Sequence, residues 1–158
     1  MGMHVYLRPL TVEDASISYK WRNDPGLWKY AASHPNCEVT EEMERAWATR
    51  VIADPSRLSF AICLKDGTYI GNTYLTNIHA NMANFGIFIG DRAAQGHGYA
   101  REAIELLKEK AREHNIQKIH FGCSPANLPA LFTYLKSGAE INPGQWINLT
   151  FNLDDNRP

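Results

Sequence analysis

The chain has 158 residues, 44% of them hydrophobic and 21% charged, which suits one domain spanning 1–158 with a real core. A net charge of −1, with Lys and Arg spread along the chain, argues against an extended nucleic-acid surface, so the expected partner is small or a short peptide. No apolar run approaches the ~20 residues that span a bilayer, and Cys37, Cys63 and Cys123 are too scattered for a disulfide or zinc framework, so neither a membrane nor a metal is expected.

In chain order, His4 to Pro9 reads as a first strand without a signal peptide before it, so a cytoplasmic protein is expected. Thr11-Val12-Glu13-Asp14 matches a capping box and predicts a helix toward Arg22. A broken stretch runs from Asn23 to Val39. Thr40, Glu41 and Glu42 open a second helix, with Met43, Ala46, Trp47 and Val51 at the helical period and Asp54-Pro55 as its stop. Leu58 to Leu64 and Thr68 to Thr76, joined by Lys65-Asp66-Gly67, read as a hairpin, and Asn84 to Gly90 as a neighbouring strand. Ala100, Ala103, Ile104, Leu107 and Ala111 form an apolar stripe on a helix ending near His114. Lys118 to Cys123 supplies another strand, a helix follows Asn127, and Gln145 to Leu153 alternates as a last strand.

The richest segment is Gly86 to Ala111, where a strand, the turn Gln95-Gly96-His97-Gly98-Tyr99-Ala100 and a helix N-terminus follow in that order. The first N–H groups of a helix lack intrahelical partners and the dipole is positive at that end, so the arrangement cradles an anion such as a pyrophosphate. The NTPase phosphate loop is excluded because Tyr99 and Ala100, not Lys and Ser/Thr, follow Gly98. The dinucleotide fingerprint fits poorly, since Arg101 stands at its third glycine position. Farther on, Asn127, Ala130 and Tyr134 fall on one helical face, with Leu128, Leu131, Phe132 and Leu135 on another expected to be core.

Gln95, Gly98 and Ala100 satisfy the pattern Gln/Arg-x-x-Gly-x-Gly/Ala, and Asn127, Ala130, Tyr134, Lys136 and Gly138 stand in register with a second motif. On these residues the chain resembles the GNAT superfamily of acyl-CoA-dependent N-acetyltransferases, over nearly its whole length. Thr133 and Ala139 depart from the second motif, where Leu and Phe are usual.

The resemblance implies a mixed α/β (α+β) fold, with a mostly antiparallel sheet splayed at the cofactor site and about four flanking helices. It implies acetyl-CoA as donor, held by Gln95, Gly96, His97, Gly98, Tyr99 and Ala100 with Asn127 and Lys136 nearby. Backbone around Ile87, Phe88 and Ile89 would pair with the pantetheine arm as an added strand does. Acetyl transfer also needs a base for the acceptor ammonium, an acid for the departing thiolate and a donor for the oxyanion. By resemblance Tyr134 is the acid and Asn127 positions cofactor or water.

The family's usual glutamate before the cradle is missing, since the segment reads Asn84-Phe85-Gly86, and His79 or a water chain ending near it is the expected base. For the acceptor, Trp21, Arg22, Trp28 and Tyr30 are the expected contacts, with Trp21 lying opposite a core face of Val12, Ala15 and Tyr19. Aromatic faces and cations suit a nucleotide-linked amino sugar, and the Trp-Arg-Asn-Asp-Pro string resembles members acting on such sugars and, more loosely, on ribosomal-protein N-termini. A peptide N-terminus, a non-catalytic acyl-CoA-binding module and a homodimer stand as alternatives.

Overall fold

The computed structural model describes residues 3–28, 37–142 and 147–153. Its sheet has seven strands in the order β1-β2-β3-β4-β5-β7-β6. These are β1 (Val5–Pro9), β2 (Leu58–Leu64), β3 (Tyr69–His79), β4 (Met82–Ile89), β5 (Lys118–Cys123), β6 (Glu140–Asn142) and β7 (Ile147–Asn152). All neighbours are antiparallel except β4 and β5, which run parallel because α3 (Tyr99–Glu113) carries the chain across between them.

The other helices are α1 (Ala15–Arg22), α2 (Glu41–Ala53) and α4 (Leu128–Lys136). Thr40 caps α2 by accepting the Met43 N–H, and Asp14 accepts the Thr11 N–H at the turn before α1. The strands differ from expectation in places, and β4 begins at Met82 rather than Asn84. Strand β3 runs on to His79 because Ala80 and Asn81, both with positive φ, form a two-residue hairpin without glycine; β6 is an added edge strand.

Alternation along β4 divides the molecule. Ala83, Phe85, Ile87 and Ile89 face α3, whose Ala103, Ile104, Leu107 and Ala111 are buried at 1% exposure or less. Each such Ile or Leu stabilises the fold by about 1.5–3 kcal/mol. Phe88 faces the other way, toward α1 and Trp21. Helix α4 lies on the α3 side, where Ala130, Leu131 and Tyr134 pack on the core.

Three expected faces change. Trp21 is buried with Ala15 and Ser18, because α1 begins after a separate turn (Val12–Asp14) and rotates its inward face onto those positions. Helix α2 buries Glu44 and Ala48 rather than Met43, the carboxylate being tolerated because the Arg22 guanidinium lies 3.0 Å away. On α4, Leu128, Phe132 and Leu135 are exposed, because its inward face is the one carrying Tyr134.

Candidate active site

Strands β4 and β5 pair only at Met82 with Lys118, Ala83 with Ile119, and Asn84 with His120. Beyond that point they diverge, and the rest of β4, Phe85 to Ile89, extends for ~16 Å along an open gap. Gly90 donates its N–H to Ile70 on β3, so antiparallel alternation turns Ile87 and Ile89 the other way, their N–H and C=O groups toward the gap. An extended ligand arm can pair there as an extra strand, and a preorganised N–H faces any oxyanion.

The gap widens into a cleft of about 500 Å³ lined by Ile87 to Ile89, by the turn from Gln95 to α3, and by α4 through Asn127, Ala130, Thr133 and Tyr134. Gly96 and Gly98 have φ of 78° and 79°, a left-handed conformation that favours glycine. They turn the chain so that the free N–H groups of α3 face the cleft. Gln95 donates its side-chain amide to the Ile89 carbonyl at 3.1 Å, pinning the turn to β4. The His97 ring is tied to the Ala93 carbonyl and stacks on Tyr99, which leaves its backbone rather than its imidazole for an anion.

Asn127 caps α4 by accepting the Ala130 N–H, so its carbonyl oxygen is occupied and its amide hydrogens are available to the cleft. Tyr134 packs edge-on against Phe85 and Phe121, at centroid distances of 5.9 and 4.9 Å. Burial raises its phenol above the usual range, reinforced by the nearby Cys123 and Tyr74, so the hydroxyl stays protonated at working pH. A protonated phenol in such a cleft can donate a proton.

Not every expected residue comes to the cleft. Lys136 is exposed, and its carbonyl accepts from Arg101 at 3.5 Å. His79 stands at the outer end of the β3–β4 hairpin opposite Met82, five positions and ~16 Å along β4 from Ile87, and does not line the cleft. Trp21 is no exposed platform: its ring covers Gly90 and packs on Tyr69 and Phe88. Arg22 holds Glu44 and stacks on Trp47 at 4.5 Å. The Trp28 side chain and Tyr30 lie outside the described residues.

Sequence reading missed Arg101, a cation on the first turn of α3 that lines the cleft; its place three residues after Gly98 was the available signal. It also missed Asp24, which holds Arg92 by two hydrogen bonds of 2.5 and 2.6 Å and anchors the Gly26-Leu27 edge of the cleft to the turn before α3.

On the opposite sheet face, Ser59, Tyr74 and Gly86 lie side by side across β2, β3 and β4. The Tyr74 ring covers Gly86 so closely that a Cβ there would fall 2.2 Å from it. Arg57 lies 4.4 Å over the Tyr74 ring and 5.8 Å from Trp47, and donates to Ser59. Burial lowers its pKa against the opposing pull of Tyr74 and Asp54, with Arg22 adding repulsion, and no carboxylate among the described residues hydrogen-bonds it. Continuing across the gap on that face are Asn84, His120 and Asn148, which line a cavity of about 450 Å³ with Asn142. Asn84 donates to the His120 carbonyl and accepts from Asn77.

A sheet split beside a left-handed glycine turn, with a protonated tyrosine at the split, defines an acyl transferase that takes its acyl group from a pyrophosphate-bearing thioester. The chain belongs to the GNAT acetyltransferase family, whose domain model matches residues 4–140, and is an acetyl-CoA-dependent N-acetyltransferase. Among solved structures it is similar to spermidine N-acetyltransferase from Vibrio cholerae in complex with CoA and spermine, at 19% identity, a TM-score of 0.85 and 96% coverage of each chain. It also resembles a GNAT acetyltransferase from Bacillus anthracis, at 18% identity, a TM-score of 0.80 and 98% coverage of each. Aminoglycoside acetyltransferase AAC(6')-Ib in complex with coenzyme A and kanamycin matches at 19% identity, with a TM-score of 0.77 and 95% coverage of each. Among curated proteins none matches the chain.

Proposed function

We propose that the protein acetylates a primary amine on a molecule that also carries an anionic, stackable part, a nucleotide-linked amino sugar being the class that fits. Acetyl-CoA binds with its pyrophosphate on the N–H groups between Gln95 and Ala100, Arg101 adding charge, and its pantetheine arm along Ile87 to Ile89. The acceptor enters from the sheet face carrying Arg57 and Tyr74, and its amine attacks the thioester carbonyl directly in a ternary complex. A backbone N–H of Ile87 or Ile89 receives the oxyanion, Asn127 positions donor or water, and Tyr134 protonates the CoA thiolate.

The observation that carries the acceptor assignment is Arg57, a guanidinium set between Trp47 and Tyr74 that no carboxylate among the described residues hydrogen-bonds, Asp54 acting on it only at a distance. A polycation would be repelled there, whereas phosphate or carboxylate would take the free donors of the guanidinium fork. Spermine and kanamycin, bound by the two similar structures, are polycations. The test is acetyl-CoA turnover with a nucleoside-diphosphate amino sugar, spermidine, kanamycin and a peptide with a free N-terminus. The amino sugar is expected to give the highest kcat/KM, and Arg57→Gln to raise its KM about tenfold, as loss of ~1.4 kcal/mol of charge-assisted bonding would. Preference for spermidine or the peptide, or an unchanged KM in the variant, refutes the acceptor assignment.

A further inference from the structure

We propose that His120 is the base that takes the proton from the acceptor ammonium, in place of the absent glutamate. This rests on the acetyl-transfer reading above. The cavity on the acceptor face is lined by Asn84, His120, Phe121, Gly122, Asn142, Asn148 and Leu149, and His120 is the one residue among these whose side chain is a base. It sits at the last paired position of β4 and β5, where the gap begins. Asn84, directly across in the register at one strand spacing of ~4.8 Å, has no proton-accepting chemistry and is occupied in bridging β3, β4 and β5. The next residue of β5 on that face, Gly122, carries no side chain, so the cavity stays open toward the gap.

The imidazole is oriented from behind. Its Nδ1 lies 2.8 Å from Thr150 Oγ1, and Thr150 is buried on β7 and also accepts the Asn142 amide at 3.2 Å. With Nδ1–H donated to Thr150, the Nε2 lone pair is left for the cavity, and Nε2 has no partner among the described residues. A cavity of about 450 Å³ holds water with room to spare, and one water bridges imidazole and amine. The charged groups on the same face include Lys118, two positions back on β5, Glu140, opposite Thr150 on β6, and Arg57, over the Tyr74 ring; the Tyr74 phenol stands on β3 beside Gly86.

The protons balance. The ammonium gives its first proton through water to Nε2, and the imidazolium later releases it to solvent. The free amine attacks the carbonyl carbon, forming the C–N bond and a tetrahedral oxyanion. As the C–S bond breaks, the nitrogen loses a second proton and the sulfur gains one from Tyr134, whose phenolate is reprotonated by that second proton. The products are the amide and the CoA thiol.

The experiment combines His120→Asn, which keeps an N–H for Thr150 but no base, with a direct look at the wild-type imidazole. The variant is expected to lose about 100-fold in kcat, measured with the fastest acceptor of the panel. It should bind acetyl-CoA within twofold of wild type and melt within a few degrees of it. The wild-type fall in kcat/KM below neutrality should disappear, and added imidazole should restore part of the rate. Long-range ¹⁵N–¹H spectra of the wild-type protein at pH 8 should show the Nδ1–H tautomer for His120, a readout that needs no acceptor. A wild-type rate and acid limb in the variant, or an Nε2–H tautomer, overturns the proposal for His120 alone. A wild-type protein that binds acetyl-CoA but acetylates no amine of the panel, or that binds no acetyl-CoA, fails the acetyl-transfer reading instead.

Discussion

In the proposed reaction Tyr134 is the proton donor, and its surroundings suit that role. Its ring is held by Phe85 and Phe121, burial keeps its phenol protonated, and no hydrogen bond among the described residues ties up its hydroxyl. Tyr134→Phe therefore removes chemistry without removing packing. We expect kcat to fall about 100-fold, with acetyl-CoA affinity within twofold and melting temperature nearly unchanged; a normal kcat in stopped assays of thiol release would remove Tyr134 from the acid role. Tyr134 and Asn127 were legible because their seven-residue spacing puts them on one helical face whatever the helix packs against. Trp21 was not, because its environment depends on where α1 starts. The short turn Val12–Asp14 takes up the first residues of the expected helix, and the buried set becomes Ala15, Ser18 and Trp21. Glu44 illustrates the same limit: only the arrival of Arg22, 22 residues away in sequence, makes a carboxylate acceptable at an inward position.

Among the elements, the strand-turn-helix from β4 through Gly98 to α3 was the most legible, because left-handed glycines, the strand before them and the α3 stripe are local properties of the chain. Its dependence on backbone shape is testable. A Cβ at Gly98 would meet nothing within 4 Å, so Gly98→Ala acts only through its φ of +79° and costs about 1–2 kcal/mol in that conformation. Relaxation of the turn would turn the α3 N–H groups away from the cleft, and we expect acetyl-CoA affinity by calorimetry to fall about tenfold. Gly67, at φ +94° and equally open in the β2–β3 hairpin, is the control, since Gly67→Ala should cost similar stability and leave affinity intact. Equal affinity losses in both variants would refute a specific cradle role. Helix α4 was half legible: its start, cap and Tyr134 face were readable, but the apolar residues Leu128, Phe132 and Leu135 turned out exposed, because a composition rich in leucine does not say which side meets the sheet. Strand β6 gave no signal, three residues being too few for a period.

At the scale of the whole molecule, the opening between β4 and β5 divides the sheet into two halves joined at three residue pairs, with α3 and α4 bracing one side. A donor arm that pairs with Ile87 and Ile89 while its pyrophosphate is held at α3 ties those halves together. CoA at a hundred times its Kd should stabilise the fold by about 2.7 kcal/mol and raise Tm by roughly 5–10 °C in a thermal scan; NADH at the same concentration should leave Tm unchanged, and a shift with NADH alone would contradict a CoA cleft. The sequence by itself determined the element order, the cradle, the α4 face carrying Tyr134 and hence the family and the acetyl donor, because glycine turns, caps and helical periods are written in neighbouring residues. The tertiary structure alone decided the acceptor side. His120, Asn84, Tyr74 and Arg57 lie on four different strands or their flanks, and only strand register and the three-pair junction of β4 with β5 bring them onto one face, while sending His79 to the far end of its hairpin.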